Sequence, residues 1–304
     1  MEIHVTGAHG FLGTCVVRAL ADICRIRSTD IDTMDVTQSS SVMGFFRRNR
    51  PDVVVHLAAL KGNLSSRERP VDFFTVNTVG TLNLLEACRH LGIRRFIFMS
   101  SLTVHGKSDV PVDETSPIRP LHPYGASKAA AEALVYAYAS SYGIQSVIFR
   151  PNFVVGPIPP PQPYRDNLIY DFIETVEKNS SIELAGSGEF QREWIHAEDV
   201  AAAVKLAVLA DLPGCETFIL AANRVSMMDL ADRIISRMGR GRVKSNPAVS
   251  GFTLISSNDK AIQKLNWRPQ KGINAIIDEI WDEYRERKNN THYGFEPRHR
   301  LPSR

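Results

Sequence analysis

Through the first half of the chain, short apolar runs alternate with longer segments whose apolar positions recur at helical spacing. That alternation predicts repeated strand–helix–strand units around a parallel sheet. Strands are expected at 3–5, 25–29, 53–57, 95–99 and 146–149, with a later one at 216–221. Helices are expected at 11–21, 39–48, 71–91 and 124–142. The last two carry small and apolar residues on more than one face, which suits burial against a partner subunit as well as against the sheet. A homodimer through 71–91 and 124–142 is therefore expected. Beyond Phe149 the alternation fails. Residues 156–164 are dominated by proline, which removes a donor and fixes φ, so they make neither helix nor central strand. There the chain is expected to leave a first lobe. A helix at 199–209 would return to that lobe, and 226–288 would add further helices with little strand.

The predicted organisation is a first lobe of 1–155, rejoined by 190–222, with a second lobe of 156–189 and 223–288. A basic tail of 289–304 is expected to be solvated. A chain of 304 residues, 43% hydrophobic and 23% charged, has material for a sizeable core. Its net charge of +3 is small, and much of the excess comes from Arg285, Arg287, Lys288, Arg298, Arg300 and Arg304 near the end. The rest is close to neutral, which argues against nucleic acid as a partner. Cys15, Cys24, Cys88 and Cys215 are far apart, with no spacing that suggests a disulfide framework or a zinc site; no metal is expected. No apolar run reaches the roughly 18 residues of a membrane span, and the chain enters its first strand without a leader-like pattern. A reducing, cytoplasmic setting is the expectation.

Candidate chemistry clusters at the predicted strand ends. After the first strand comes Thr6-Gly-Ala-His-Gly-Phe-Leu-Gly13. Glycines at 7, 10 and 13 permit a tight turn whose N–H groups approach a pyrophosphate at a helix N-terminus. Gly7, His9, Gly10, Phe11 and Leu12 are the residues placed against such a dinucleotide. Asp30, at the end of the second strand, would accept hydrogen bonds from the adenosine ribose and repel a 2′-phosphate, which favours NAD over NADP; Asp32 competes for that place. Asp35 and Val36 would meet the adenine edge. Leu57, Ala58 and Ala59 follow the third strand with mostly small side chains, and Lys61 would reach the phosphates or ribose. Ser100 and Ser101 end the fourth strand, and Pro151 follows the fifth. Tyr124 and Lys128 stand one helical turn apart on one face. A tyrosine of pKa about 10 needs a fall of about 3 units, about 4 kcal/mol, to serve as a base at neutral pH. A neighbouring ammonium and an oxidised nicotinamide would supply it. Alone, such a pair is equally an ordinary surface pair.

Together these residues resemble the extended short-chain dehydrogenase/reductase family and, within it, nucleotide-sugar epimerases such as UDP-glucose 4-epimerase. The similarity runs from Thr6 to about Trp267, through the glycine turn, Asn77, Met99–Gly106, Tyr124–Lys128, Arg150-Pro151, Arg192–Asp199 and Leu265–Trp267. It implies a Rossmann-type doubly wound parallel sheet with a smaller, mostly C-terminal substrate-binding lobe, and an NAD site that also includes Asn77, Ser100, Tyr124, Lys128 and Pro151. It implies Tyr124 as acid/base, Lys128 on the nicotinamide ribose, and Ser101 on the reacting sugar oxygen. Arg192 would face a diphosphate; Asn152 is a further substrate contact. His196 and Asp199 are read as fold-stabilising. The implied activity is epimerisation at C4 of a nucleotide-activated sugar through a transient keto-sugar. Leu102-Thr103 replaces the Asp-Glu of the family's 4,6-dehydratases, which disfavours dehydration. Asn246–Gly251 replaces an expected Arg-Pro-Gly-Asp stretch, so the nucleotide pocket is expected to differ. A net oxidoreductase on a secondary alcohol and a non-catalytic NAD-binding protein are the other readings.

Overall fold

A computed structural model describes residues 1–158, 167–249 and 251–289. Much of the proline run and nearly all of the basic tail lie outside the described residues. Six parallel strands form the main sheet: β1 (Glu2–Thr6), β2 (Arg25–Thr29), β3 (Val53–His56), β4 (Arg95–Met99), β5 (Gln145–Pro151) and β9 (Cys215–Leu220), ordered β2-β1-β3-β4-β5-β9. Within the sheet, side chains follow the period of two. Ile3, Val5, Val53, Val55, Ile97 and Phe149 enter a core against α1 (Phe11–Leu20) and α8 (Ala197–Leu209). Val54, Phe96, Phe98 and Ile148 face the opposite core, under α2 (Ser39–Arg48), α5 (Gly80–Leu91) and α6 (Pro123–Tyr142). Strand order reverses at β1/β3, where a doubly wound sheet opens a crevice beyond its strand ends.

The predicted 71–91 helix is interrupted. Short α3 (Asn63–Glu68) and α4 (Pro70–Phe74) precede one π-turn, Thr75–Val79, before α5 begins. The wider turn accommodates an extra residue, a feature frequent at functional sites, and Asn77 sits within it. Both α5 and α6 stop at left-handed glycines, Gly92 and Gly143.

The remaining elements are β6 (Phe153–Val155), α7 (Leu168–Asn179), β7 (Ile182–Ala185), β8 (Gln191–His196), β10 (Arg224–Ser226), α9 (Met227–Met238), β11 (Val243–Asn246), α10 (Asp259–Leu265) and α11 (Ile273–Asn289). All but α10, whose Ala261 and Leu265 enter the α1/α8 core, contribute to a second core. Small sheets β10-β8-β6 and β11-β7 carry Trp194, Ile182 and Leu184 onto α7, α9 and α11, where Ile173, Val176, Leu230, Ile234, Ile277 and Ile280 are buried. Among the described residues between 226 and 288, only β11 and the last residue of β10 are strand, as the expected shortage of strand there implies; β6, β7 and β8 lie before that stretch and are each only a few residues long. Phe11 packs against both this core and the α1/α8 core. Asp199 joins the regions: its carboxylate accepts from the main-chain N–H of Gln270 and Lys271, and its carbonyl takes the Trp267 indole N–H.

Candidate active site

The glycine turn is built by close approach. Gly7 has φ +65°, and a Cβ there would lie 2.7 Å from the Ala58 nitrogen. A Cβ on Gly13 would lie 2.1 Å from the Gly7 carbonyl oxygen, so no side chain fits where α1 crosses the turn. Gly10 caps α1 with no side-chain hydrogen bond, leaving the helix N-terminus lined by main-chain N–H groups. Asp30 follows β2 and accepts from the His9 N–H at 3.2 Å, while Asp32 is exposed and no bond ties it to the turn. Geometry thus selects Asp30 between the two. Asp35 accepts from the N–H and hydroxyl of Thr37 at the entry to α2, and Val36 is buried. Leu57, Ala58 and Ala59 are half-buried beside the turn, and Lys61 is exposed just beyond.

Behind the turn runs a directional chain of hydrogen bonds. The Ala58 N–H donates to the Thr6 hydroxyl, which contacts His56 Nδ1 at 2.8 Å; His56 Nε2 contacts the Thr81 hydroxyl at 3.1 Å, which donates to the Asn77 carbonyl at 2.6 Å. Only Nε2–H with Nδ1 as acceptor satisfies every member. Burial holds the His56 pKa well below that of a free histidine, so the ring is neutral.

Two residues expected against the cofactor also bond within the protein. Asn77 is buried and spends its amide on structure. It accepts from the Leu60 N–H at 2.8 Å and donates to the Leu60 carbonyl at 3.0 Å and to the Ser127 hydroxyl at 2.9 Å. It clamps the loop after β3 to α6. Ser100 turns its hydroxyl into the interior, onto the Glu132 carboxylate. Asn152, expected on the substrate, is also committed inward: its amide donates to Glu193 at 3.1 Å and its oxygen caps the Phe153 N–H at 3.0 Å. Pro151 is buried at the end of β5.

Ser101, Tyr124 and Lys128 come together where β4 ends against the start of α6. Ser101 N-caps a short 3₁₀ turn, Leu102–Val104, and accepts from the Thr103 hydroxyl at 2.9 Å. The Ser101 hydroxyl faces the Tyr124 phenol closely enough to favour its ionised form, and the tyrosine ring stands edge-on to Phe73 at 6.2 Å. Lys128 is 2% exposed; its ammonium donates to the Met99 carbonyl at 2.6 Å and lies 4.7 Å from the Phe98 ring centre. Burial brings the lysine pKa down to about 7, opposed by the Glu132 charge. The expected depression of the Tyr124 pKa is absent from the protein alone. Burial raises it, and the Ser101 hydroxyl only partly opposes that rise. The ammonium is directed at a main-chain carbonyl, so dehydration of the phenol prevails.

One ionic group here escaped the sequence reading. Glu132, one turn beyond Lys128, forms a buried pair with Arg150: Arg150 Nη2 lies 2.6 Å and Nε 3.0 Å from its two oxygens. Arg150 also donates to His105 Nε2 at 3.1 Å. A lone carboxylate amid the small residues of α6 was the available signal.

Arg192, on β8, is buried and forms no ion pair with the neighbouring Glu189 or Glu193; Glu193 instead binds Ser256, Asn152 and Arg224. Its guanidinium lies 4.5, 5.0 and 5.9 Å from the rings of Phe252, Phe190 and Phe153 and donates to the Phe252 carbonyl. Burial lowers its pKa to about 10. It borders a cleft of about 280 Å³ with Phe172, Leu184 and Trp194. Among the described residues, no helix is long and apolar enough to cross a membrane, and no three His, Cys, Asp or Glu side chains group as they would around a metal ion.

The profile of the NAD dependent epimerase/dehydratase family matches residues 3–218. The chain belongs to that family. Human dTDP-D-glucose 4,6-dehydratase is 30% identical over 267 residues, covering 84% of this chain and 75% of that protein. A putative UDP-glucose 4-epimerase from Methanocaldococcus jannaschii is 29% identical over 299 residues, covering 91% of this chain and 97% of that one. Among solved structures, the NAD complex of Thermus thermophilus UDP-glucose 4-epimerase superposes with a TM-score of 0.83 at 28% identity, covering 94% and 99% of the two chains. NAD is the family's cofactor, and the residues present fit it. The glycine cradle admits no Cβ at Gly7 or Gly13, a helix N-terminus faces the crevice, and a carboxylate stands after β2.

Proposed function

We propose that the chain is an NAD-dependent epimerase acting at C4 of a nucleotide-activated sugar. The observation that carries this reading is the Ser101 hydroxyl set beside the Tyr124 phenol at the end of β4, with no carboxylate on the turn beside it. The position after Ser101 is Leu102, 1% exposed in a small apolar core with Val112 and Ile219, and Thr103 spends its hydroxyl on Ser101. An acid that could protonate a departing hydroxyl is missing from that turn, so elimination of water is disfavoured although dehydratases are among the relatives.

Gly7, Gly10, Asp30 and the loop 57–61 would hold NAD at the sheet's switch point, where it supplies hydride exchange with the sugar carbon. Tyr124 then takes the sugar hydroxyl proton and returns it. Ser101 holds the oxygen in line; proton transfer by a positioned side chain is worth about 10²–10⁴-fold. Lys128, with the positive charge of the oxidised cofactor, offsets the dehydration that raises the Tyr124 pKa. For Arg192 to meet a diphosphate, its bond to the Phe252 carbonyl has to exchange for phosphate oxygens, a change favoured by two charge-assisted contacts.

The labour divides between 1–155 with 190–222 for the cofactor and 156–189 with 223–288 for the sugar nucleotide. The separate cores support that division for most of the chain, with Ala261, Leu265 and Trp267 packing into the α1/α8 core and Trp194 into the second. A homodimer through α4, α5 and α6 is supported by exposed Val71, Phe74, Val79, Tyr136 and Tyr142 on those segments. Four free thiols suit a reducing compartment such as the cytoplasm. The decisive experiment incubates the NAD-loaded protein with a panel of nucleotide sugars and identifies products. An epimer without net absorbance change at 340 nm supports the proposal. Accumulating NADH would point to net oxidation, and loss of water to a dehydratase.

A further inference from the structure

Two buried charges in the site's supporting layer serve no step above, and one lies a helical turn from Lys128. We propose that Glu132 is a positioning residue: clamped by Arg150 and Ser100, its carboxylate locks the end of β4 to α6 and keeps the Lys128 ammonium charged. The inference deepens the proposed function and rests on it for its catalytic meaning.

Geometry supplies the first half. Ser100 lies between Met99, whose carbonyl receives the Lys128 ammonium, and Ser101, whose hydroxyl faces Tyr124. The Ser100 hydroxyl is anchored on Glu132, and Arg150 from β5 grips both carboxylate oxygens. Arg150 is itself held by His105 and by the Glu114 carbonyl. Two successive residues at the end of β4 are thereby bonded to positions 128 and 132, on the stripe of α6 that also carries Tyr124.

Electrostatics supplies the second. A lysine this buried tends to lose its proton. The charged and titratable groups around it are Tyr124 and Glu132 on α6, His56 on β3, Arg150 on β5, and His105 after β4. Tyr124 and His56 are neutral, His105 is biased to its neutral form, and Arg150 is positive. Glu132 is therefore the one nearby group that favours the ammonium, and it opposes the fall in the Lys128 pKa. Arg150 partly screens it, so the carboxylate acts through its position as much as its charge.

The test is ¹³Cε NMR titration of ¹³C-lysine-labelled full-length protein, with the Lys128 signal assigned by Lys128→Met. In Glu132→Gln the Lys128 pKa is expected to fall by at least about one unit, the lower end of what a neighbouring opposite charge contributes. Ser100→Ala, which keeps the charge and loses one bond, should move it much less. Because Glu132→Gln strands a buried guanidinium, Glu132→Gln/Arg150→Met provides a second variant with no unpaired charge, and a smaller fall is expected there. A Lys128 titration within about 0.3 unit of wild type in Glu132→Gln, or in the double variant where Glu132→Gln does not fold, would overturn the proposal. On the best substrate found, the alkaline loss of turnover should begin at lower pH in Glu132→Gln. A shifted NMR titration with an unmoved turnover profile would leave the positioning role standing and remove the catalytic reading it rests on.

Discussion

Lys128 reaches from α6 to donate a 2.6 Å hydrogen bond to the main-chain carbonyl of Met99, two residues before the serine whose hydroxyl faces Tyr124. One bond thus sets the spacing between the helix that carries the phenol and the strand end that carries the hydroxyl. The three groups meet because a buried cation must find an acceptor, and a strand-end carbonyl provides one.

Tyr124→Phe removes the only phenol in this arrangement while keeping the ring against Phe73. Turnover should fall by at least about 10²-fold with NAD binding within a few-fold of wild type. Single-turnover kinetics and cofactor titration check it; near-normal turnover would eliminate Tyr124 as the acid/base.

Gly13→Ala should cost cofactor before it costs the fold. A methyl 2.1 Å from the Gly7 carbonyl forces α1 and the turn apart, and overpacking of this kind costs about 1–3 kcal/mol. The displaced N–H groups are those the pyrophosphate needs. Equilibrium NAD binding should weaken by at least about tenfold, or about 1.4 kcal/mol, and the urea midpoint should fall. Unchanged affinity would show that the dinucleotide sits elsewhere.

Much of this arrangement is legible in the chain, and the exceptions share a cause. Strand 95–99 stands where its apolar run predicts, because a buried parallel strand has little freedom in pattern or register. Glycine turn, Asp30 and the Tyr124–Lys128 pair are local motifs whose geometry is set within a few residues. The structural bonds of Asn77 and Ser100 were not legible because their partners lie far along the chain, at Leu60 and Ser127 and at Glu132. No local pattern distinguishes an amide that touches a ligand from one that clamps two elements. Strands β6, β8 and β10 were hidden for the related reason that each is short and takes its partners from distant segments.

Asn77→Ala tests the clamp. It leaves the Leu60 N–H and carbonyl and the Ser127 hydroxyl without their partner, a loss of about 1–3 kcal/mol for buried groups left unmade. Stability in urea should drop by that amount, and hydrogen exchange should quicken in the loop after β3. A variant as stable as wild type would return Asn77 to the list of ligand contacts.

Acid should weaken the fold through His4. Its ring is buried beside Phe45 and Phe46, with Nδ1 unpartnered, and burial, aided by Arg27, lowers its pKa from 6.5 to about 3. The unfolded chain binds a proton below pH 6.5 that the folded ring refuses, so stability is lost as pH falls through that window, by about 1.4 kcal/mol per unit. From pH 6.5 to 4.5 the contribution is about 2–3 kcal/mol. His4→Leu should flatten the urea-midpoint profile over that range, with His56 supplying the slope that remains. An unaltered slope would assign the acid sensitivity to other groups.

Arg192 offers the sharpest separation of stability from function. A guanidinium 8% exposed among three phenyl rings, without a carboxylate partner among the described residues, pays for its burial with a main-chain hydrogen bond and cation–π contacts. Replacing a buried charge with an apolar side chain of similar length is often neutral or stabilising. Arg192→Met should therefore melt at or above the wild-type temperature. If the side chain is kept to meet a diphosphate, KM for the nucleotide sugar should rise by at least about tenfold, the loss of about 1.4 kcal/mol, with a smaller change in kcat. A lower melting temperature with unchanged KM would mean that Arg192 holds Phe252 and its segment in place, and that the diphosphate is met by another residue.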